Sequence, residues 1–439
     1  MEDKKITPLG GKIWFSVVFF GLVGQIAWMV ENMSFATFTQ DVFANSSRGD
    51  MSYIVTTLMV ILSALTATIT TIFAGALTDK AGKRKPFISI GYIIWGITII
   101  LFGFIPMKVE ARSILVVAVL LVAFDCIMTF AGSTANDAAF NAWIIDNTDD
   151  TNRGRVNGIL SALPVIAVVI VFALINTLFY DKTKDNNFLY FLVLGLIPIV
   201  AGLVALFILK DKEELTKTSV SFKEIFEGFK PSTIKENKLA YITLIANCIV
   251  GIAQQTFFSY LINFLILTLN LGDGYVIPMA AIIVGSAVFT GVFGFLTDKY
   301  GRRHFYFPFL IMLIIGLLSF YLIQYTMNDG NATTLSMIIL YIGGIVMIGG
   351  LLSIIGALAA NFQDNIPHEL SGRFQGVRMC FTVLIPMIIG PIISLIIGLD
   401  AMGQNGDNFA PPFAIFIAAF IVAIIAIIPV FIVRKYTER

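Results

Sequence analysis

The sequence predicts an all-α membrane protein with twelve transmembrane helices, arranged as two pseudo-symmetric six-helix bundles. Three observations predict this class. The chain is 57% hydrophobic and only 13% charged, it contains twelve apolar runs, and two of its motifs recur half a chain apart. Soluble domains carry roughly 25% charged residues, so the composition excludes an ordinary soluble protein. The net charge of +1 gives no reason to expect a nucleic-acid partner.

An internal duplication predicts the division into two halves. Residues 77–84 read Leu-Thr-Asp-Lys-Ala-Gly-Lys-Arg, and residues 296–303 repeat them as Leu-Thr-Asp-Lys-Tyr-Gly-Arg-Arg, 219 positions later. A second motif, Asp-Asn followed by Gly-Arg in residues 146–155, recurs in residues 364–373, 218 positions later. Two motifs in the same order indicate two related bundles.

Each apolar run has the length that a transmembrane helix needs, about 20 residues for a hydrocarbon core of roughly 30 Å. The twelve predicted spans are 13–37, 52–77, 87–106, 113–145, 155–179, 188–209, 238–269, 275–297, 305–326, 334–362, 373–397 and 410–433. We therefore expect an N-terminal bundle at 1–209, a cytoplasmic linker at 210–237 and a C-terminal bundle at 238–439. Apolar residues at helical spacing in the linker predict one or two helices that lie on the inner membrane surface. The alternative is that the linker only tethers the two bundles.

The distribution of basic residues predicts the orientation of the chain. Of 29 Lys and Arg residues, only Arg48, Lys108, Arg112, Lys182 and Lys184 fall on one side of the predicted membrane. Basic residues accumulate on the cytoplasmic side of membrane proteins. Both termini are therefore expected in the cytoplasm.

The cysteines and histidines predict neither a metal site nor a cofactor. Cys126, Cys248 and Cys380 lie inside apolar runs, where cysteine behaves as a small hydrophobic residue. His304 and His368 lie in polar turns without a second ligand at metal-binding spacing. No span contains a Ser-His arrangement, so the sequence does not predict an enzyme.

Three acidic residues fall inside predicted spans, Glu31 in the first and Asp125 and Asp137 in the fourth. An ionisable group in hydrocarbon costs several kcal/mol and marks a cavity or a proton path. Burial also disfavours the charged form of a carboxyl group, which suits a proton carrier. These residues are the candidate cation-coupling groups. The alternative is that each holds two helices together through a Ser, Thr or Asn partner.

Amide and aromatic side chains predict a solute-binding surface. Some share helix faces with these carboxylates, and others lie in the span that begins the second half of the chain. The candidates are Gln25, Trp28 and Asn32 in the first span, Asn136 and Asn141 in the fourth, and Gln254, Gln255 and Phe258 in the seventh. Such groups suit a ligand with hydroxyl groups and an apolar ring face. Hydrogen bonding between helices is the alternative explanation.

The repeated turn resembles the signature between the second and third helices of the major facilitator superfamily, and the resemblance covers essentially the whole chain. It implies two bundles that alternate access to a central substrate, in a protein that functions as a monomer. It also implies a cytoplasmic gate made of Asp79, Lys83, Arg84, Arg155, Asp298, Arg302, Arg303 and Arg373. In such a gate the two aspartates would accept hydrogen bonds from a helix start in the opposite half. The alternative is that these turns only fix the topology by their charge.

Two loops resemble a narrower group. Residues 82–88 and 137–140 resemble the glycoside-pentoside-hexuronide:cation symporters, and residues 140–155 are similar to the related disaccharide:proton symporters. The resemblance implies that Asp137 matches the helix-4 aspartate of the cation site. The chain departs from the pattern because Thr66, Thr68, Thr70 and Thr71 stand where those symporters have a pair of helix-2 aspartates, and Met387 lies near their helix-11 lysine. These departures favour a proton over a sodium ion.

The expected function is secondary active transport of a small polar solute, a sugar or glycoside, by cation symport with alternating access. The expected partners are the solute, a proton or sodium ion and the lipid bilayer, and the expected location is the plasma membrane. Phe-rich spans leave open a proton-driven efflux carrier for drugs or other amphipathic compounds. A non-transporting membrane sensor or a lipid-handling protein is the alternative from another class.

Overall fold

The computed structural model describes residues 9–437, apart from 44–45, 47, 149–151, 182, 212–228, 367–375 and 406–409. These residues form helices and short connections, and the extended backbone among them pairs only in two isolated bridges, without a β-sheet. The structure therefore confirms the predicted all-α class.

In the described part of the chain, eleven helices are long and apolar enough to cross a membrane, and a twelfth lies in the fifth position with a shorter apolar stretch, Leu163–Phe179. In chain order the helices are α1 Gly11–Phe43, α2 Met51–Ala81, α3 Lys85–Phe102, α4 Ala111–Asn147, α5 at 153–179, α6 Phe188–Ile208, α7 Lys238–Phe258, α8 Val276–Tyr300, α9 Arg302–Tyr325, α10 Thr334–Asp364, α11 Gly376–Gly403 and α12 Ala414–Tyr436. Each helix coincides with one predicted span, and the ends differ by at most six residues except in α7. Helix α7 ends at Phe258, and the rest of its predicted span forms two short helical segments, Leu261–Asn263 and Phe264–Thr268.

The chain divides into two compact units, Met1–Val220 and Ser221–Arg439. Helices α1 to α6 form the first bundle, and α7 to α12 form the second. The division falls within the segment predicted as a linker. Residues 212–228 of that segment are outside the described part, and Pro231–Glu236 near its end forms a short helix.

The duplicated turn uses a glycine for the same backbone reason in both bundles. Gly82 ends α2 with φ at 63°, and Gly301 follows α8 with φ at 85°. These values lie in the region that residues with a Cβ rarely adopt, and glycine is therefore the residue that ends such helices. After the first turn, Pro86 stands in the opening turn of α3, where its missing N–H costs nothing.

Helices α1 and α4 both contain a π-helical stretch beside a predicted coupling residue. The stretch in α1 is Val30–Ser34, which includes Glu31, and the stretch in α4 is Ser133–Phe140, which includes Asp137. Wide turns of this kind are rare inside α-helices and occur frequently at functional sites. These two stretches lie where α1, α3 and α4 meet, and similar stretches occur elsewhere at Val169–Asn176, Phe264–Thr268 and Cys380–Leu384.

Candidate functional site

A continuous chain of hydrogen bonds joins three helices of the first bundle. Trp28 Nε1 donates to Asn136 Oδ1 at 3.3 Å, and Asn136 Nδ2 donates to the Tyr92 hydroxyl at 2.7 Å. That hydroxyl donates to the Phe20 carbonyl at 2.8 Å. Asn136 and Tyr92 are buried, where an unpaired polar group is costly, so this chain fixes α1 and α3 against α4.

Gly24 lets α1 approach α4 closely enough for these hydrogen bonds. A Cβ atom at position 24 would overlap the side-chain amide of Asn136. The absence of a side chain at this position therefore determines where the Asn136 amide lies, and with it the position of the Trp28 indole.

The Trp28 ring belongs to an aromatic cluster at the same level. Its centroid lies 4.9 Å from that of Trp95, with the planes tilted by 58°, and Tyr92 meets Trp95 edge-on at 5.6 Å. Trp95 is fully buried, whereas Trp28 is partly exposed. Trp28 is therefore the member of this pair that keeps ring surface for contact with a ligand.

Thr129 connects the first two predicted coupling residues. Its hydroxyl lies 3.0 Å from Glu31 Oε1 and 2.9 Å from the backbone carbonyl oxygen of Asp125. A hydroxyl group carries one proton, so Thr129 can donate to only one of these oxygens at a time. Both contacts become hydrogen bonds together when Glu31 is protonated and donates to Thr129.

One carboxyl oxygen of each of these acids lacks a hydrogen bond from the residues that the structure describes. Glu31 Oε2 and Asp125 Oδ1 are buried and have no hydrogen-bond partner among the described residues. Only 1% of Asp125 is exposed, and the ion pairs in the described part of the chain leave Glu31 and Asp125 without a cationic partner. The site therefore holds carboxyl groups in surroundings that oppose a negative charge.

Asp137 lies close enough to Glu31 to interact with it electrostatically, as Glu31 does with Asp125. The Ser133 hydroxyl donates to Asp137 Oδ2 at 3.1 Å, and Asp137 is less buried than Asp125. The three predicted coupling residues thus belong to one electrostatically connected group inside the first bundle.

The other predicted solute-binding residues of this bundle lie beside that group. Asn32 donates to the Trp28 carbonyl at 2.8 Å, and the exposed Asn141 donates to the Asp137 carbonyl at 3.1 Å. Gln25 is partly buried on α1. A role for these residues in binding a solute stays a prediction.

The predicted residues of the second bundle lie on α7. Gln254, Gln255 and Phe258 are each partly buried. A Cβ atom at Gly390 of α11 would meet the Cβ atom of Gln255, so Gln255 packs against α11. Gln254 and Phe258 are partly exposed. Their role in solute binding stays a prediction.

Arg84 is the centre of a charge cluster at the predicted cytoplasmic end of the first bundle. The guanidinium group of this buried residue pairs with Asp79 at 2.6 Å and with Asp146 at 3.0 Å, and it donates to Thr78 at 2.7 Å. Asp211 accepts hydrogen bonds from the Arg84 and Lys85 amides at 2.8 and 2.9 Å, which occupies the amino end of α3. The cluster therefore ties α2, α3, α4 and the segment after α6 together.

The second bundle has a simpler counterpart, in which Arg302 pairs with the exposed Asp364. Lys83 and Arg303 are exposed. The side chains of Arg155 and Asp298 lie outside the described part of the structure, and so does the whole of Arg373. The expected interaction of these gate residues with the opposite half stays a prediction.

Tyr92, Trp95 and Asp211 take part in these clusters and were not among the candidates from sequence. Tyr92 and Trp95 stand three positions apart in the third span, and this spacing places both on one face of a helix. That spacing was the available signal. Asp211 is one charge among many in the linker, and nothing in its pattern identifies the amino end of α3 as its partner.

Comparison with known proteins identifies the family. The sequence model of the Major Facilitator Superfamily matches residues 13–391. No curated protein sequence matches the chain significantly.

Solved structures share the fold at low identity. The xylose transporter XylE from E. coli matches with a TM-score of 0.67 and 13% identity over 98% of both chains. A bacterial homolog of the human lysosomal transporter Spinster matches with a TM-score of 0.68 and 13% identity over 98% of both chains. The nucleoside transporter NupG matches with a TM-score of 0.64 and 13% identity, over 97% of this chain and 100% of the NupG chain. With the family match over most of its length and the twelve-helix fold, the chain belongs to the Major Facilitator Superfamily.

Proposed function

We propose that the protein is a proton-coupled secondary transporter that moves a small polar solute, a sugar or glycoside, by alternating access. It acts in the plasma membrane as a monomer with both termini in the cytoplasm. Glu31, Asp125 and Asp137 carry the coupling proton, and Trp28 and the amides near it contact the solute.

The observation that carries this proposal is the burial of the Glu31 and Asp125 carboxyl groups, each with one oxygen that lacks a hydrogen-bond partner among the described residues. A charged carboxylate that is buried without a cation or enough hydrogen bonds is costly, so the closed surroundings favour the neutral form. Access to water on one side of the membrane would remove that cost and release the proton. A group whose charge follows its exposure in this way couples proton movement to a conformational change.

A proton fits this site better than a sodium ion. Sodium, like other hard cations, needs several oxygen ligands around one point. The second span offers threonines at the positions where the sodium-coupled symporters that the chain resembles have aspartates. Asp137 remains from that pattern, and the Ser133 hydroxyl donates to its Oδ2 at 3.1 Å.

The solute class rests on the partly exposed Trp28 ring and on the amides of α1. A flat aromatic face beside hydrogen-bonding side chains suits a sugar ring, which has an apolar face and polar edges. The fold shared with a xylose transporter is consistent with this class.

We also propose that the duplicated turns form the cytoplasmic gate. The Arg84 cluster makes the end of the first bundle rigid, and the Arg302–Asp364 pair contributes to the second bundle. Rigid ends let each bundle move as one body, as alternating access requires.

The test is accumulation of labelled sugars in proteoliposomes under an imposed inward proton gradient. We expect accumulation of at least one mono- or disaccharide above its external concentration, and loss of that accumulation when a protonophore collapses the gradient. Accumulation that follows a sodium gradient and ignores the protonophore would contradict proton coupling.

Efflux of cationic amphipathic compounds is the second candidate. Buried carboxylates without cationic partners, beside the tryptophan pair, would also attract an organic cation. Extrusion of a cationic dye from proteoliposomes, without uptake of any sugar tested, would favour efflux over the first proposal.

A further inference from the structure

The second bundle contains an open pocket between α8 and α10, next to the duplicated turn. Its volume is about 200 Å³. The residues that define its chemistry are Thr290, Gly294, Thr297, Arg302, Ser353 and Gly356.

Two of these residues offer hydrogen-bond donors to a ligand. Ser353 is 7% exposed, and its hydroxyl has no partner among the described residues. Arg302 uses one guanidinium nitrogen for Asp364 and has no other ion pair in the described part of the chain. The hydroxyls of Thr290 and Thr297 already donate to backbone carbonyls of α8 and have no proton left for a ligand. The unused donors favour an anion.

The pocket owes its open space to glycine. A Cβ atom at Gly294 or at Gly356 would meet nothing within 4 Å. Phe309 and Leu352 form an apolar wall of the pocket. Leu352 is 41% exposed, which leaves apolar surface open beside the pocket. The site therefore has a cationic end and a hydrocarbon-compatible side.

The turn that borders the pocket is basic. Lys299, Arg303 and His304 are exposed beside Arg302, and the turn stands at the cytoplasmic end predicted from the charge distribution. Basic side chains at this level attract the anionic headgroups of the inner leaflet.

We propose that this pocket binds an anionic phospholipid of the inner leaflet, with its phosphate held by Arg302 and Ser353 and its hydrocarbon against Leu352. Arginine and a hydroxyl are suitable partners for a phosphate group. The binding is independent of the transported solute. It stabilises the end of the bundle where Arg302 and Asp364 meet, so lipid composition changes the stability of the second bundle.

The experiment measures thermal unfolding of the purified full-length protein in detergent. Short-chain phosphatidylglycerol, short-chain phosphatidylcholine and inorganic phosphate are added at equal concentrations, below the micelle threshold of the lipids. A ligand that binds the folded state raises the unfolding temperature by mass action. We expect phosphatidylglycerol to raise the temperature clearly more than either of the other additions.

Substitutions separate the pocket from the general surface. Gly294→Leu fills the pocket and is expected to weaken phosphatidylglycerol binding at least tenfold, whereas Gly291→Leu, on the same helix with equally open space, is expected to leave it unchanged. If Gly294→Leu lowers the stability of the protein without lipid, Ser353→Ala and Gly356→Leu replace it. Each is expected to weaken phosphatidylglycerol binding in the same way. Equal binding by the Gly294→Leu and Gly291→Leu proteins would overturn the proposal. A phosphate effect equal to that of phosphatidylglycerol would overturn the lipid assignment in favour of a free anion.

Discussion

Arg84 Nε lies 3.0 Å from Asp146 Oδ2, so an arginine of the first duplicated motif pairs with the aspartate of the second. The second bundle repeats this pairing between Arg302 and Asp364. The arginine is shifted by one position, because Arg302 aligns with Lys83 rather than with Arg84. Direct contact between the two motifs explains why they occur together in both halves.

The two copies of this pair are expected to differ in strength. Asp146→Asn leaves the buried Arg84 with one carboxylate fewer and is expected to lower the free energy of unfolding by about 2 kcal/mol. Asp364→Asn removes an exposed pair and is expected to cost less than about 1 kcal/mol. Denaturant or thermal unfolding of the purified variants measures both. Equal losses would contradict the difference in burial.

Asp211 is expected to stabilise the amino end of α3 by accepting two backbone hydrogen bonds. Asp211→Ala leaves these amides without that acceptor, and a loss of about 1 kcal/mol is typical of such a change. Unfolding measurements test it, and Asp211→Asn should recover part of the loss because an amide oxygen can still accept. A neutral Asp211→Ala variant would show that water replaces the carboxylate without cost.

Gly24 is expected to tolerate no side chain. Gly24→Val would push the Asn136 amide away and break its hydrogen bonds to Trp28 and Tyr92, with a loss of about 1–3 kcal/mol from overpacking. Gly75→Val on α2 is the control, because a Cβ atom there meets nothing within 4 Å. Unfolding temperature and solute binding should both fall for the first variant alone. Similar behaviour of the two variants would contradict close packing at Gly24.

Thr129→Val is expected to weaken coupling because it removes the hydroxyl between Glu31 and the Asp125 carbonyl while keeping the side-chain shape. Thr134→Val is a matched control on the same helix, since its hydroxyl only donates to the Phe130 carbonyl one turn earlier. The accumulation ratio reached under a fixed proton gradient should drop for Thr129→Val and stay the same for Thr134→Val. An unchanged ratio in both would remove Thr129 from the coupling group.

Asp137→Asn is expected to abolish accumulation driven by the gradient while leaving exchange of solute across the membrane. Exchange needs binding and the conformational change but no net proton movement. Counterflow and gradient-driven uptake, measured on the same proteoliposomes, separate the two activities. Retained accumulation would exclude Asp137 from a coupling role.

The fold was predictable because its signals are properties of single segments. Twelve apolar runs give twelve helices, and the repeated turns give two bundles, since length and hydropathy decide whether a segment spans a membrane. The reason for the glycines of the repeated turns came from the structure, in the positive φ values of Gly82 and Gly301.

The site was predictable only in part, because helix faces can be read from sequence and their partners cannot. Glu31, Asp125 and Trp28 were identified by polarity within apolar runs. Asn136 was expected to bind solute, yet both of its amide atoms already bond to Trp28 and Tyr92 within the bundle. The link through Thr129 and the burial of Arg84 among carboxylates depend on which faces pack together.

The most direct test of proton coupling is the movement of protons that accompanies solute entry. A pH-sensitive dye inside proteoliposomes should report acidification when an external solute is added, for the wild-type protein and for Glu110→Gln, which alters an exposed carboxylate. Glu31→Gln and Asp125→Asn should transport solute by exchange with little or no acidification. Full acidification in the protein that carries both substitutions would contradict a role for Glu31 and Asp125 in carrying the proton together with Asp137.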